Sequence, residues 1–159
     1  MTRFLGLLLC SILCACTQQK ELLRSSDKVG TEQTAQSRTL LVGRWYGDMQ
    51  AADGGRRQWL TERAADGSFN VTFRVTSRGR NTYQREYGTW GISADIYFTV
   101  TSGFIESGLP EPADPTDPTL YDAYRVLSLS ASGMTYQNLE TGNTFVVRRV
   151  GDDFTIPEE

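Results

Sequence analysis

The chain has 159 residues, of which 39% are hydrophobic and 11% aromatic, and it carries a formal net charge of -3 at pH 7. This composition is typical of one ordered globular domain rather than of a disordered chain, and the small net charge argues against a nucleic-acid-binding protein. The sequence contains no histidine, which removes the commonest general base and the commonest transition-metal ligand.

The first sixteen residues, MTRFLGLLLCSILCAC, combine a cation at Arg3 with an apolar run that ends at Ala15. The run is shorter than the roughly 20 residues that a helix needs to cross a hydrocarbon core, and it has the length of the apolar part of a signal peptide. It closes with LCAC, in which Leu13 precedes Cys16 by three positions. This pattern resembles the lipobox of bacterial lipoproteins. The resemblance implies that residues 1–15 are a signal peptide and that Cys16 carries a diacylglyceryl group and an acylated, for example palmitoylated, amino group.

Two alternatives to a lipoprotein signal are open: an ordinary secretory peptide or membrane anchor with incidental cysteines, and a metal or redox site at Cys10, Cys14 and Cys16. Thiolates inside an apolar run are poorly solvated and no further ligand lies nearby, so the lipoprotein interpretation is preferred. In enteric members of the family an Asp after the cysteine favours retention in the inner membrane. Thr17 stands there in this chain, so the resemblance implies a lipid-anchored protein of the outer membrane that faces the periplasm.

The segment after Cys16 is polar, rich in Gln, Ser and Thr, and contains the only lysines of the chain, Lys20 and Lys28. A segment with so few hydrophobic residues buries too little apolar surface to offset the conformational entropy lost on ordering. Residues 16–39 are therefore predicted to form a flexible tether. Beyond this segment the composition changes abruptly and every cation is an arginine. The change predicts a folded domain over residues 40–151 and a C-terminal tail over 152–159.

The segment FNVTFRVTS alternates between apolar and polar side chains, with Phe69, Val71, Phe73 and Val75 on one face. A period of two predicts a half-buried antiparallel strand. Turn residues separate comparable segments at roughly 41–49, 57–63, 69–77, 82–91, 95–101, 122–130, 134–140 and 143–150. Eight short strands predict an all-β fold, either a sandwich or a closed up-and-down barrel, in which closure removes exposed strand edges.

The first strand carries the motif Gly43-Arg44-Trp45, and the last strand, NTFVVRRV, carries Arg148 and Arg149. This arrangement resembles the lipocalin (calycin) family. The resemblance implies an eight-stranded antiparallel barrel in which Trp45 plugs the closed end and Arg148 or Arg149 packs over its indole. Neighbouring strand residues face opposite ways, so only one arginine faces inward, and the sequence leaves open which one. The alternative is a β-sandwich in which Trp45 is an ordinary core residue.

Catalytic groups are scarce, since there is no histidine, the lysines lie in the predicted tether and no Gly-x-Ser-x-Gly motif occurs. Carboxylates such as Glu62, Glu86 and Glu140 are interpreted as solvated positions on strand faces. The loop ESGLPEPADPTDPTLYD is rich in oxygen ligands that suit calcium, but its spacing matches no EF-hand and its prolines favour an extended, solvated connection. We therefore predict no enzymatic activity, no cofactor and no metal.

The stretch from residue 56 to residue 85 contains many more arginines than carboxylates, namely Arg56, Arg57, Arg63, Arg74, Arg78, Arg80 and Arg85. The preferred interpretation is a charged outer face of two or three strands. A surface for lipopolysaccharide phosphates or for an acidic partner is the alternative. An exported, net-acidic protein is not expected to bind nucleic acid.

These observations predict a binding module: a lipid-anchored barrel that holds a small apolar or amphipathic ligand. The candidate ligand-lining residues are the inward aromatics Phe69, Phe73, Trp90 and Tyr97. Small eight-stranded barrels are either packed solid or hold one small ligand. The alternative function is therefore structural, with a filled barrel that docks a protein partner in an envelope assembly.

Overall fold

The structure, a computed structural model, describes residues 30–51 and 54–158. Helix α1 covers residues 30–41. The strands that follow are β1 (Gly43–Gln50), β2 (Arg56–Arg63), β3 (Ser68–Ser77), β4 (Arg80–Ser93), β5 (Ile96–Glu106), β6 (Leu109–Pro112), β7 (Tyr121–Leu129), β8 (Gly133–Asn138) and β9 (Thr144–Val150). A short 3-10 helix, Pro118–Leu120, precedes β7. The predicted signal peptide and the lipid-attachment residue Cys16 lie outside the described residues.

Eight of these strands form a closed antiparallel barrel. Strand order runs β4-β3-β2-β1-β9-β8-β7-β5, and the pairing of β4 with β5 closes the ring. Strand β6 pairs only with the end of β5 and extends beyond the barrel. Closure gives every strand of the ring two partners, so no edge of the ring is left to pair with another chain. The predicted eight-stranded antiparallel up-and-down barrel is confirmed, and the sandwich alternative is wrong. The sequence did not predict β6, because its residues lie in the proline-rich loop.

The closed end of the barrel is built around Trp45, whose side chain is fully buried. Its indole Nε1 donates a hydrogen bond to the carbonyl oxygen of Leu41 at 2.9 Å. The guanidinium carbon of Arg149 lies 4.6 Å from the ring centroid, and Trp45 and Arg149 are also register partners in the β1–β9 pairing. Arg149 is therefore the inward arginine that the resemblance left open.

Arg149 also donates hydrogen bonds to three backbone carbonyl groups, two near the end of α1 and one in the turn between β7 and β8. Its Nε donates to the carbonyl oxygen of Ala131 at 2.8 Å, its Nη1 donates to that of Val42 at 2.8 Å, and its Nη2 donates to that of Leu40. Arg148 faces the opposite way and lies over the rings of Tyr46 and Phe154 on the outside of the barrel.

The segment predicted as a tether is helical over its last ten residues, 30–39, and only residues 16–29 of it lie outside the described ranges. Arg38 donates from Nη2 to the carbonyl oxygen of Ala65 at 3.2 Å and lies 4.7 Å from the centroid of the Trp90 ring. The Thr34 hydroxyl accepts a hydrogen bond from the backbone of Ala94 at 3.3 Å. These contacts order a segment whose own composition is too polar to predict order.

The predicted C-terminal tail also contacts the barrel. Arg44 donates from Nη2 to the carbonyl oxygen of Phe154 at 2.9 Å and from Nη1 to that of Asp152. The Phe154 ring lies 4.9 Å from the ring of Tyr46, centroid to centroid. The tail is thereby held against the outer face of β1.

The carboxylates of the acidic, proline-rich loop form local turns with neighbouring threonines. The Asp114 carboxylate accepts from the backbone and hydroxyl of Thr116 at 2.9 and 2.8 Å, and Asp117 makes the equivalent bonds to Thr119. These bonds lower the pKa of both carboxyl groups. Within residues 30–51 and 54–158, no group of three or more His, Cys, Asp or Glu side chains is placed to hold a metal ion. In the same ranges, none of the helices is both long and apolar enough to span a membrane.

The closed end yields a stability prediction with a matched control. Arg149→Lys is expected to lower the free energy of unfolding by about 1–2 kcal/mol, because a lysine does not reproduce the fork that reaches three carbonyl groups. Arg148→Lys, a change of the same type on an exposed neighbour, is expected to cost less than about 0.5 kcal/mol. Urea unfolding followed by tryptophan fluorescence measures both, and equal losses in the two variants would contradict the assignment.

Candidate ligand-binding site

The half of the barrel away from Trp45 contains a cavity of about 420 Å³. Inward-facing side chains of β2 to β5 and of β7 to β9 line it. Gln84, Thr119, Thr141 and Asn143 belong to the lining and are exposed, so the cavity opens to solvent at the end opposite the plug. Its volume lies within the range of about 300–1,000 Å³ that is usual for small-molecule sites.

A cluster of aromatic side chains forms one wall of the cavity. The rings of Tyr97 and Tyr124 are stacked at 5.5 Å, Tyr124 meets Tyr136 edge-on at 5.1 Å, and Tyr136 stacks on Phe145 at 5.4 Å. Burial raises the pKa of Tyr124 and of Tyr136 well above the usual range. Both phenols are therefore neutral at any physiological pH, and the wall offers ring faces and hydroxyl groups to a ligand.

Trp59 completes this wall and depends on a glycine behind it. The Trp59 and Phe145 rings meet edge-on at 5.9 Å. A Cβ atom added at Gly47 would lie 2.1 Å from the Trp59 ring. Strand β1 therefore contributes space rather than a side chain at this level, and the indole lies in that space.

Arg63 is a buried cation in the cavity lining, with 3% of its surface exposed. Its Nε donates to the Tyr97 hydroxyl at 3.0 Å, and its guanidinium carbon lies 4.7 Å from the Tyr97 ring centroid. In the described part of the chain, its Nη1 has no hydrogen-bond partner. In the same part, the ion pairs within 4.0 Å involve Arg44, Arg56 and Arg125, and Arg63 has no carboxylate at that distance.

Two carboxylates also line the cavity, and both accept hydrogen bonds from neutral side chains. Glu86 accepts from Gln84 at 2.8 Å and from Thr101 at 3.3 Å. Burial raises the pKa of Glu86, and the hydrogen bond from Thr101 opposes that rise. Asp122 accepts from the amide of Asn138 at 3.0 Å.

The structure brings three of the four predicted lining residues to the cavity: Phe69, Phe73 and Tyr97. Trp90 is not among the lining residues. It lies near the closed-end terminus of β4, where its Nε1 donates to the carbonyl oxygen of Ala64 at 3.1 Å and Arg38 covers its ring. It faces inward, but below the level of the cavity.

The sequence interpretation missed the charged residues of the site. Arg57 and Arg63 line the cavity, so the prediction of a charged outer face is wrong for these two arginines. Glu86 is likewise a cavity residue rather than a solvated one. The signal was present in RQWLTER, because alternation places Arg57 and Arg63 on the same face as the aromatic Trp59.

Comparisons with known proteins do not identify a family. No family model matches the sequence, and no curated protein matches it. A solved structure of a lipocalin-like protein from Bacteroides uniformis ATCC 8492 is similar to this chain, at 18% sequence identity and a TM-score of 0.44, over 70% of this chain and 99% of that one. The fold assignment rests on the strand order and closure of this chain itself.

The buried carboxyl group of the site yields a prediction about pH. The pKa of Glu86 is raised in the folded state, so the folded protein binds this proton more tightly than the unfolded chain does. The stability gained from protonation is fully present below the ordinary pKa and is lost as the pH rises through the raised pKa. Glu86→Gln is therefore expected to increase the free energy of unfolding at about pH 8 and to leave it unchanged at about pH 3. The control is Glu140→Gln, the same change at an exposed position, and denaturant unfolding at both pH values measures the difference. A Glu86→Gln variant that is less stable at the higher pH would contradict the prediction.

Proposed function

We propose that this protein is a non-enzymatic binding protein that holds one small apolar or amphipathic ligand inside its barrel. The observation that carries this proposal is the aromatic-lined cavity of about 420 Å³ with a solvent opening at one end. Trp45 and Arg149 close the other end, so the barrel is a container with one mouth. The alternative of a filled barrel is less well supported, because side chains fill only the closed half.

The chemistry of the lining supports binding rather than catalysis. The buried phenols have raised pKa values and do not supply a base near neutral pH. The two carboxylates accept hydrogen bonds from neutral side chains and do not activate a nucleophile. Ring faces and a few fixed polar groups are the usual equipment of a binding pocket.

We also propose that the chain is a lipoprotein anchored through Cys16 to the outer membrane and facing the periplasm. The support is the sequence pattern LCAC at the end of a short apolar run. Two or three acyl chains, at about 0.8 kcal/mol for each buried methylene group, make a stable anchor.

The cavity can be tested with a neutral apolar dye and a variant that fills it. Purified protein is expected to bind N-phenylnaphthylamine, and Thr99→Trp is expected to weaken this binding by about tenfold or more, a loss of about 1.4 kcal/mol, because Thr99 lines the cavity. Val146→Trp is the matched control, since it adds the same indole at a side chain that is 64% exposed. Dye fluorescence measures the affinities.

Native mass spectrometry after mild detergent extraction and delipidation provides an independent readout. A small molecule that remains bound to the wild type and to Val146→Trp but is absent from Thr99→Trp supports the binding function. Equal dye affinity in wild type and Thr99→Trp would overturn it, and a stoichiometric protein partner without a small molecule would favour the assembly role instead.

The lipid anchor is tested by Cys16→Ser. Loss of the thiol removes the acceptor of the diacylglyceryl group, so the variant is expected to keep its signal peptide when lipoprotein processing is followed on a gel and to be absent from the outer-membrane fraction. Globomycin, which blocks removal of lipoprotein signal peptides, should likewise cause the uncleaved wild-type chain to accumulate. Unchanged processing and unchanged fractionation would rule out the anchor.

A further inference from the structure

We infer that the ligand carries an anionic head group and that Arg63 binds this group at the floor of the cavity. This inference rests on the proposed binding function, which it makes specific. The ligand class is an oxyanion, such as a carboxylate, on an otherwise apolar or aromatic body.

The first argument concerns an unpaired charge. Only 3% of the surface of Arg63 is exposed. No carboxylate of the described residues lies within 4.0 Å of its guanidinium. A buried cation is costly unless it is paired and hydrogen-bonded. The guanidinium is instead supported by the hydroxyl and ring of Tyr97, which hold it in place and leave its charge uncompensated. A ligand oxyanion supplies the missing charge.

The second argument concerns the donors of Arg63. Its Nε is used by Tyr97, whereas its Nη1 has no hydrogen-bond partner in the described ranges. A guanidinium donates from a rigid planar fork that matches the two oxygens of a carboxylate. The Nη1 of Arg63 is therefore a buried donor in the cavity lining that is unused and available to an anion. Tyr136 lies close enough that the charge of Arg63 opposes the rise in its pKa that burial causes, so its phenol also stands near this position.

The third argument concerns the order of charges along the barrel. In the strand register, Arg63 pairs with Phe69. Glu86 accepts a hydrogen bond from Gln84, one of the exposed lining residues at the mouth. Asp122 lies at the mouth end of β7. The acidic groups are thus nearer the mouth and the buried cation is at the floor, so the favoured orientation places the anionic head group inward and the apolar body along the tyrosine wall.

A pair of related dyes tests this inference. Anilinonaphthalene sulfonate and N-phenylnaphthylamine share one aromatic skeleton and differ by the sulfonate. Wild-type protein is expected to bind the sulfonate roughly 10- to 100-fold more tightly, the range expected for a hydrogen bond to a charged group. Arg63→Gln is expected to abolish that preference and to change the affinity for the neutral dye by less than about threefold. Near-ultraviolet circular dichroism verifies that the variant keeps its tertiary packing.

Arg80→Gln is the matched control, because Arg80 is exposed and is not among the residues that line the cavity. It removes the same charge and is expected to keep the preference for the sulfonate. Equal losses in Arg80→Gln and Arg63→Gln would overturn the inference in favour of general electrostatic attraction. A wild-type protein that binds the neutral dye but shows no preference for the anionic one would overturn the inference and leave the binding function standing. A wild-type protein that binds neither dye would overturn both.

A second measurement needs no variant and covers the case in which Arg63→Gln does not fold. Octanoate and octan-1-ol have the same alkyl chain and differ in the charge of the head group. Octanoate is expected to displace the neutral dye from wild-type protein at about tenfold lower concentration. Equal displacement by the two compounds would overturn the inference.

Discussion

The contact between the Trp45 indole and the Arg149 guanidinium is the interaction on which the rest of the structure depends. The two residues are register partners across the seam between the first and last strands of the ring, so the contact that plugs the barrel also lies where the barrel closes. Arg149 further binds carbonyl groups of Leu40, Val42 and Ala131. One side chain thus joins the end of α1, the start of β1, the β7–β8 turn and β9, which satisfies polar groups that would be costly to leave unpaired at a closed end.

The plug divides the barrel into a filled half and a hollow half. Below the cavity, Leu41, Trp45 and Met134 are almost completely buried and pack without room for a ligand. Above them, the aromatic side chains lie against the walls, and Trp59 lies in the space that Gly47 leaves. The large side chains of the hollow half stack on one another and line the cavity.

Much of the fold was predictable because it depends on local pattern. Strict alternation of the kind in FNVTFRVTS specifies which side chains share a face, and this placed Phe69 and Phe73 correctly. The motif around Trp45 and the arginine pair identified the first and last strands of the barrel, which pair with each other at the closed end. Helix α1 was not predictable in this way, since its order comes from contacts of Thr34 and Arg38 with turns that are distant in the sequence.

The charged part of the site was the least predictable. A run of arginines normally marks a solvated face, because burying a cation is costly. Arg63 is an exception that only its position in the strand indicates, and Tyr97 of β5 holds its guanidinium in place. Trp90 shows the opposite error, since an inward aromatic was assigned to the cavity although its height along the barrel places it at the closed end.

The sequence by itself determined the all-β class and the inward and outward faces of the strands, because these follow from side-chain periodicity, and a resemblance carried by one short motif singled out Trp45 as the plug. Only the tertiary structure decided that Arg149 rather than Arg148 packs on Trp45, that the interior is hollow towards its mouth, and that Arg63 lies in that hollow. The physical reason is that parity along a strand is a local property. Height within a barrel, and the partner reached across it, depend on how all eight strands are staggered when the ring closes.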